Sequence, residues 1–574
     1  MRDIGTVVKG QHDGRETLGV RLSWDKRYIT LGPKATLVGL AFRLFDPENL
    51  LGKGEDVGIT VAMIPANHPG VNIGRRHLPS GAAFPNGPNW GNDVFIPMDW
   101  IIGGEKMAGQ GWRMLMECLA AGRAISLPSS AAAGAKAMLR VTSAYARIRR
   151  QFGLPVGRME GIEEPLARIV ETAYVNEAAR GVTASMVSRG EKPSVISALM
   201  KYQTTERLRR SVNDAMDIHG GRAICDGPTN YLQSAYEMVP VGITVEGANI
   251  LTRTLITFAQ GALRSHPYLI REIQAAQNPD TAKGFDDFED LFLSHIGHSV
   301  SNMAGAFFHN ITFGFFAPAP TAVPELKAHY RQLSRAARNF AVVSDMTIAV
   351  LGGGLKTKQK ICGRLADALS ELYFAAAVLK RFEDDGRPVA DRPIVDFAIA
   401  NALSRFNDAL HGVVLNFPVA PVRWKLRAIV FPFGRHYNPA PDKLGGTVAG
   451  LVLKPGEVRD RLTRHIFISK DAADPTGVLE VTLEKVVAAE EAEKKLEKAI
   501  RAGTVRRYHG IDWIGDAVTQ NVITAEEAAL LREVETLVAR VIAVDHFDPA
   551  ELRPNYMQPG HNARAADQPA AAAE

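Results

Sequence analysis

One carboxylate offers the most specific chemistry in this chain. Glu246 stands directly before Gly247, on a short apolar connection between two helical runs. A carboxylate held in an apolar site has a raised pKa and can act as a general base near neutral pH. A Glu close to a helix start is also a common N-terminal charge partner or cap. The surrounding motifs must decide between a base and a cap.

The chain around this carboxylate changes its hydrophobic periodicity. Up to about residue 100, apolar residues alternate with small or polar ones, as over 57–63, which predicts strands. From Gly109 to about Ala262 the pattern is helical, and a second helical region extends to about residue 560. Breaks in the first helical region are expected at Leu127–Pro128, Phe152–Gly153, Lys192–Pro193 and 219–221.

These patterns predict an α+β, mainly α, fold. It comprises a partial antiparallel β-domain, a four-helix-bundle-like domain that carries Glu246, and an extra C-terminal helical domain. The last residues are Ala-rich and polar, which favours disorder. The predicted boundaries are 1–103 for the partial β-domain, 104–265 for the bundle, 266–283 for a linker, 284–560 for the appended helical domain and 561–574 for a disordered tail.

Composition and charge exclude several classes of function. The net charge is +5 over 574 residues and no long Lys/Arg run occurs, so no nucleic-acid partner is expected. Cys118, Cys225 and Cys362 are far apart, so we predict no metal site and a reducing compartment. No apolar run approaches the ~20 residues of a bilayer span, and no signal peptide is visible. We therefore expect a cytoplasmic protein.

Motifs over residues 1 to about 265 resemble, in order, those of the acyl-CoA dehydrogenase family. The segment 26–32, Lys-Arg-Tyr-Ile-Thr-Leu-Gly, is similar to the family's Lys-x-Trp-Ile-Thr-Asn-Gly strand. The resemblance implies that the Thr30 hydroxyl hydrogen-bonds the flavin ring of FAD and that Tyr28 lies close to it. A strand Thr that faces solvent is the alternative for Thr30.

The segment 145–153, Tyr-Ala-Arg-Ile-Arg-Arg-Gln-Phe-Gly, resembles the family's Tyr-Ala-x-x-Arg-x-x-Phe-Gly. By this resemblance Arg149 reaches the FAD pyrophosphate across a subunit interface, with Arg150 as the alternative, and Phe152 belongs to the same cofactor-binding turn. A guanidinium suits that role because its planar fork holds phosphate oxygens in two hydrogen bonds. The resemblance therefore also implies a homodimer.

Three further motifs extend the resemblance. Gly220 and Gly221 fit the family's Gly-Gly segment, where the backbone passes close to the cofactor. Arg123 ends a motif similar to Leu-Asp-x-x-Arg, which implies a contact with the coenzyme A part of the substrate; a surface Arg is the alternative. Glu246 and Gly247 begin Glu-Gly-Ala-Asn-Ile-Leu, which resembles the family's catalytic motif. This match makes Glu246 the base and places Gly247 at the substrate.

The resemblance implies FAD-dependent α,β-dehydrogenation of medium- or long-chain fatty acyl-CoA to trans-2-enoyl-CoA in fatty-acid β-oxidation. Glu246 would remove the α-proton next to the thioester, a hydride would leave the β-carbon for the flavin, and an electron-transfer flavoprotein would accept the electrons. The appended domain, with Leu-Gly-Gly-Gly-Leu-Lys at 351–356, is similar to that of bacterial FadE-type long-chain members.

Alternatives of different function stay open. One is an inactive fragment or a non-catalytic acyl-CoA-binding or scaffold protein of the same fold, and the other is an acyl-CoA oxidase. Family members begin with a helical domain and the first half of the β-domain, whereas this chain begins among strands. We therefore expect that Met1 is a wrong start or the start of an incomplete gene product that lacks this N-terminal helical domain.

The segment 422–435 mixes cations with aromatic residues. Such a segment can lie on an anionic membrane surface. This pattern predicts peripheral contact with the inner membrane, and a helix-to-loop packing segment is the alternative.

Overall fold

A six-stranded sheet opens the computed structural model, which describes residues 3–82, 84–261, 265–508 and 510–548. Its strands are β1 (Ile4–His12), β2 (Arg15–Thr30), β3 (Leu37–Phe45), β4 (Asp56–Pro65), β5 (Val71–Ile73) and β6 (Asn86–Pro97). Their order in the sheet is β4-β3-β1-β2-β6-β5. The predicted antiparallel arrangement is wrong for one pair, because β1 and β3 run parallel. The predicted tail, 561–574, lies outside the described residues.

Alternation along the strands gives the sheet one apolar face. Val20 and Leu22 of β2 are buried, as are Leu40, Phe42 and Leu44 of β3. Successive side chains of a strand point to opposite faces, so burial of every second residue builds a core on one side. The strand predicted from alternation over 57–63 is confirmed as part of β4.

Helices dominate from Gly111 onward. The first helices are α1 (Gly111–Ile148), α2 (Glu160–Ser188), α3 (Ser194–His219), α4 (Gly221–Ile224), α5 (Gln233–Thr244) and α6 (Asn249–Leu251), followed directly by a π-helix (Thr252–Gln260). A hairpin of β7 (Arg150–Gln151) and β8 (Leu154–Pro155) connects α1 to α2. α1, α2 and α3 pack on one another as the centre of the bundle. Three of the four predicted breaks coincide with helix ends.

The fourth predicted break, at Leu127–Pro128, is wrong because Pro128 lies inside α1. A proline in a helix interior removes one backbone hydrogen bond and crowds the preceding turn, at a cost of about 3 kcal/mol or more. Ala124, Pro128 and Ala131 are all buried. Tertiary packing on both sides of the proline therefore offsets this local cost. The sequence alone indicates a helix end there.

Twelve more helices lie in the described part of the chain after the bundle. They are α7 (Leu269–Ala276), α8 (Thr281–Ile311), α9 (Lys327–Leu351), α10 (Gln359–Asp384), α11 (Arg392–Leu415), α12 (Ala420–Val430), α13 (Asp442–Gly450), α14 (Glu457–Leu462), α15 (Gly477–Ala488), α16 (Glu490–Arg501), α17 (Trp513–Thr519) and α18 (Ala525–Ile542). The predicted linker, 266–283, thus contains α7. None of the described helices has the length and apolar composition that crossing a membrane requires.

Buried ion pairs join the appended helices to the bundle. Arg207 of α3 donates to Glu371 of α10 at 2.7 Å, and Arg405 of α11 donates to Glu171 of α2 at 2.7 Å. Arg405 Nε also lies 3.1 Å from Glu371 Oε2. One continuous hydrophobic core runs through both regions. The position of the bundle helices therefore depends on the appended domain.

Candidate active site

Glu246 lies on a strained turn between α5 and α6. Its φ is 54° and that of Gly247 is 91°, so both residues adopt left-handed backbone. A non-glycine residue in this region costs roughly 1–2 kcal/mol, and such strain persists only where the surroundings hold it. The turn must therefore be fixed by neighbouring side chains.

Three side chains from three elements hold this turn. Arg123 of α1 donates from Nε to the carbonyl oxygen of Glu246 at 2.7 Å. Lys201 of α3 donates from Nζ to the carbonyl oxygen of Gly247 at 2.8 Å. Thr252 of the π-helix donates from Oγ1 to the same oxygen at 3.2 Å. The carbonyl groups of the turn are satisfied, and the Glu246 side chain is left free.

The Glu246 carboxylate is poorly solvated. Its Oε2 atom is buried and has no hydrogen-bond partner among the described residues. A Cβ atom added to Gly122 would lie 3.7 Å from Oε1, so the backbone of α1 faces the carboxylate. Burial raises the pKa of Glu246, and the positive charges of Arg123 and Lys201 oppose this shift. A carboxylate of this kind suits proton abstraction.

The geometry does not support the alternative that Glu246 caps a helix. The N-cap of α6 is Ala248, and no side-chain hydrogen bond caps this helix. In addition, the backbone N–H of Glu246 donates to none of the described residues. The turn therefore presents a free carboxylate oxygen and a free N–H donor on the same residue.

A second cluster forms where α1 and α3 end. The rings of Tyr145 and His219 stack with their centroids 4.1 Å apart, so the two helix ends lie side by side. Nδ1 of His219 contacts the carbonyl oxygen of Ala215 at 2.7 Å, and Nε2 contacts the hydroxyl of Tyr231 at 2.9 Å. Burial lowers the pKa of His219 to about 3, so its imidazole is neutral. Arg149 lies four residues after Tyr145, and its positive charge acts on the Tyr145 hydroxyl.

Arg149 and Arg150 differ in their partners. Arg150 forms an ion pair with Glu493 of α16. The Arg149 side chain has no hydrogen bond or ion pair within the described parts of the chain. Phe152 follows with a φ of 52°, and 93% of its surface is exposed. The turn therefore offers one unpaired guanidinium next to an exposed aromatic ring.

The glycines of this cluster are not required by close packing within the chain. A Cβ atom added to Gly220 or Gly221 would meet no atom of the described residues within 4 Å. Gly220 has a φ of 58°, which favours glycine, but Gly221 has no positive φ. Gly221 therefore leaves space for a group that approaches its backbone from outside the chain.

Tyr28 and Thr30 lie at the end of β2. Tyr28 has a φ of 59° and 75% of its surface is exposed, and Asn86 donates from Nδ2 to its carbonyl oxygen at 2.9 Å. Thr30 is exposed at the end of β2, and its hydroxyl makes no hydrogen bond with the described residues. Both side chains are thus available to a ligand, but no hydrogen bond connects them to the turn of Glu246.

Comparison with known proteins identifies the family. The model of the acyl-CoA dehydrogenase C-terminal domain matches residues 109–259, and that of the bacterial-type acyl-CoA dehydrogenase C-terminal domain matches residues 263–547. The chain belongs to the acyl-CoA dehydrogenase family. Both the turn of Glu246 and the helix-end cluster lie within the first match.

Curated relatives of this acyl-CoA dehydrogenase chain are longer than the matched part. Probable acyl-CoA dehydrogenase FadE10 of Mycobacterium tuberculosis is 27% identical over 345 residues, which cover 58% of this chain and 50% of that protein. Protein HemX of Proteus mirabilis is 55% identical over 104 residues, 18% of this chain and 61% of that protein. The chain thus spans about half the length of FadE10.

A solved structure shows the same fold. The acyl-CoA dehydrogenase of Bacillus anthracis, solved in complex with FAD, superposes with a TM-score of 0.60 at 16% sequence identity. The match covers 79% of this chain and 72% of that chain. The arrangement of sheet, bundle and appended helices is therefore that of the acyl-CoA dehydrogenase family.

Arg123 lies buried against the turn of Glu246. The sequence predicts a contact with coenzyme A or an exposed Arg, but the Arg123 residue is only 6% exposed and binds the turn of Glu246. Burial lowers its pKa, while the charge of Glu246 raises it. The surface alternative is wrong, and a substrate contact by Arg123 or Gly247 stays a prediction.

Lys201 contacts the turn of Glu246, and the motifs of the sequence do not indicate it. This residue follows Ala198, Leu199 and Met200, which are all buried. A lysine in an apolar helical run was the only available signal, and it does not identify the carbonyl groups that the ammonium contacts.

Proposed function

We propose that this chain provides the catalytic base and bundle for FAD-dependent α,β-dehydrogenation of medium- or long-chain fatty acyl-CoA to trans-2-enoyl-CoA in fatty-acid β-oxidation. The observation that carries this proposal is the buried, unpartnered carboxylate oxygen of Glu246, held on a strained turn beside a free backbone N–H. Family membership supports the reaction class.

The residues of the turn can perform proton abstraction. An α-proton of a thioester is a weak acid, so the site must stabilise the enolate oxygen that forms when Glu246 takes the proton. A backbone N–H directed at that oxygen contributes about 3–4 kcal/mol. The free N–H of Glu246 is such a donor, and the left-handed turn fixes its direction. Burial also strengthens this interaction because water competes less.

The residues present fit an FAD cofactor. Arg149 offers an unpaired guanidinium for the pyrophosphate, and Gly220 and Gly221 leave open space at the same end of the bundle. Phe152 is exposed beside them, and Thr30 offers a free hydroxyl for the flavin ring, near Tyr28. FAD supplies the acceptor for the hydride that leaves the β-carbon.

Arg149→Ala should weaken FAD binding roughly 10- to 100-fold, since a hydrogen bond to a charged group contributes about 1.5–3 kcal/mol. Arg150→Ala is the matched control, because the Arg150 charge already pairs with Glu493, and it should leave FAD affinity nearly unchanged. Flavin fluorescence titration measures both dissociation constants. The reverse ranking would assign the pyrophosphate to Arg150, and equal affinities would reject both.

We further propose a homodimer that passes electrons to an electron-transfer flavoprotein. Support for the dimer is the exposed turn of Phe152, which lies where the family's Arg reaches a cofactor across a subunit interface. In such a dimer, Arg149 of one subunit serves the flavin of the other.

A peripheral membrane contact is a separate proposal. Trp424 on α12 is 67% exposed, and Phe433, which follows the end of α12, is also exposed. Lys425 and Arg427 are exposed on α12, and Arg423 is half-buried. Aromatic side chains flanked by cations suit an anionic membrane surface, where each cation contributes about 1 kcal/mol.

Reversal of Arg423, Lys425 and Arg427 to Glu should weaken binding to phosphatidylglycerol-containing vesicles at least roughly 100-fold, as three cations at about 1 kcal/mol each imply. Vesicle sedimentation measures the bound fraction. Reversal of Lys356, Lys358 and Lys360, which are exposed, changes the net charge equally and should have a small effect. Equal binding by both variants would reject segment 422–435 as the contact.

A further inference from the structure

Lys201 is a buried lysine that contacts both ends of the Glu246 turn. Its residue exposure is 0%. Its Nζ donates to the carbonyl oxygen of Ile243 at 3.2 Å, to that of Gly247 at 2.8 Å and to Oδ1 of Asn249 at 2.7 Å. An ammonium group has three protons, so these three acceptors use its full capacity. One side chain thus connects the last turn of α5, the turn itself and the first residue of α6.

The Asn249 amide is itself fixed in orientation. Its Nδ2 donates to Oγ1 of Thr205 at 3.0 Å and to Oε1 of Glu206 at 3.0 Å. Both acceptors lie on α3, one turn after Lys201. The amide oxygen is therefore directed at the ammonium, and α3 holds the start of α6 through Lys201, Thr205 and Glu206.

The charge of Lys201 has an unusual environment. Within the described residues, it forms no salt bridge, and the closest contacts of its ammonium are neutral oxygens. Among the charges that act on it, the Glu246 carboxylate is the leading attractive one. The other buried lysine of the bundle, Lys136, lies 3.0 Å from the Glu177 carboxylate. Lys136 therefore neutralises a neighbour, whereas Lys201 places its charge at the turn.

We propose that Lys201 is a positioning residue for Glu246. It holds the left-handed turn so that the carboxylate and the free N–H keep their directions, and its positive charge favours the ionised form of the base. The effect on catalysis rests on the proposed function of Glu246, whereas the effect on the turn does not.

The test compares Lys201→Met with Lys136→Met, which removes an equally buried lysine remote from the turn. The FAD-loaded protein is incubated in D₂O with a 3-thia fatty acyl-CoA, whose sulfur at the β-position prevents hydride loss, and NMR follows exchange of the α-protons. Lys201→Met should slow this exchange roughly 100-fold, as misplacement of a reacting group by about 1 Å does. Lys136→Met should exchange at the wild-type rate. The affinity for the thioester should change little in either variant.

Amide hydrogen–deuterium exchange of Val245 and Thr252, which flank the turn, gives a readout that does not need activity. Their N–H groups donate to the carbonyl oxygens of Val241 at 3.0 Å and of Ala248 at 2.9 Å. These amides should lose protection in Lys201→Met and keep it in Lys136→Met. Lys201→Gln, which retains a donor without the charge, should give an intermediate loss and serves if the Met variant does not fold. Wild-type protection of the turn together with wild-type α-proton exchange in a folded Lys201 variant would overturn the proposal. Absence of α-proton exchange in the wild type would instead reject Glu246 as base, and protection of the turn would still decide the role of Lys201.

Discussion

Replacement of Glu246 by Gln is expected to abolish flavin bleaching by acyl-CoA under anaerobic conditions while FAD stays bound. The amide retains the size of the side chain but cannot accept the α-proton. General base catalysis contributes about 10²–10⁴-fold, so we expect the rate of bleaching to fall by about that factor. The described turn offers no second unpartnered carboxylate that could replace Glu246. Stopped-flow absorbance of the bound flavin measures the rate.

Glu237→Gln is the matched control for this experiment. Glu237 lies on α5, the same helix that leads into the turn, and its Oε1 atom accepts a hydrogen bond from Gln233 at 3.2 Å. This variant should bleach at the wild-type rate. Normal bleaching in Glu246→Gln would reject Glu246 as the base.

The same preparation also separates the alternative functions. A wild-type protein without visible flavin absorption would favour a non-catalytic acyl-CoA-binding scaffold of this fold. Rapid peroxide production after admission of oxygen would favour an acyl-CoA oxidase. Slow reaction with oxygen and fast reduction of an electron-transfer flavoprotein would support the dehydrogenase.

The sequence singles out Glu246 as a candidate base because a Glu-Gly pair on a short apolar connection is a local signal, which the ordered motifs around it support. The turn has the left-handed backbone that Gly247 permits. Two of the three side chains that fix this turn were beyond local reasoning. Arg123 and Lys201 lie 123 and 46 residues before the atoms they bind, on different helices. Only the packing of α1 and α3 brings them to the turn.

Two errors in the fold prediction have the same origin. The parallel pairing of β1 and β3 joins strands that are not neighbours in sequence, and alternation of residues reports a strand but not its partner. The continuity of α1 through Pro128 depends on burial of the surrounding alanines, whereas the local signal of a proline favours a helix end. Contacts between distant segments therefore decided both outcomes.

The second large effect is expected for the buried ion pairs between bundle and appended domain. Glu371 is buried between Arg207 and Arg405, and burial would raise its pKa, but the two guanidinium groups hold it below its usual value. Glu371→Gln removes the negative charge and leaves Arg207 without its partner. Breaking a buried ion pair in this way lowers the free energy of unfolding by about 3–5 kcal/mol. Differential scanning calorimetry should show this loss of stability as a lower midpoint of thermal unfolding.

A double variant distinguishes loss of charge balance from loss of packing. Arg207→Met combined with Glu371→Leu removes both charges, and Arg405 keeps its pair with Glu171. Replacement of a buried ion pair by apolar residues of similar size is often neutral, so the double variant should be more stable than Glu371→Gln alone. Glu533→Gln at the exposed pair with Lys485 should change stability by less than about 1 kcal/mol. If Glu371→Gln and this control unfold at the same temperature, the buried ion pair contributes no more to stability than an exposed one. Apolar contacts would then hold α10 and α3 together.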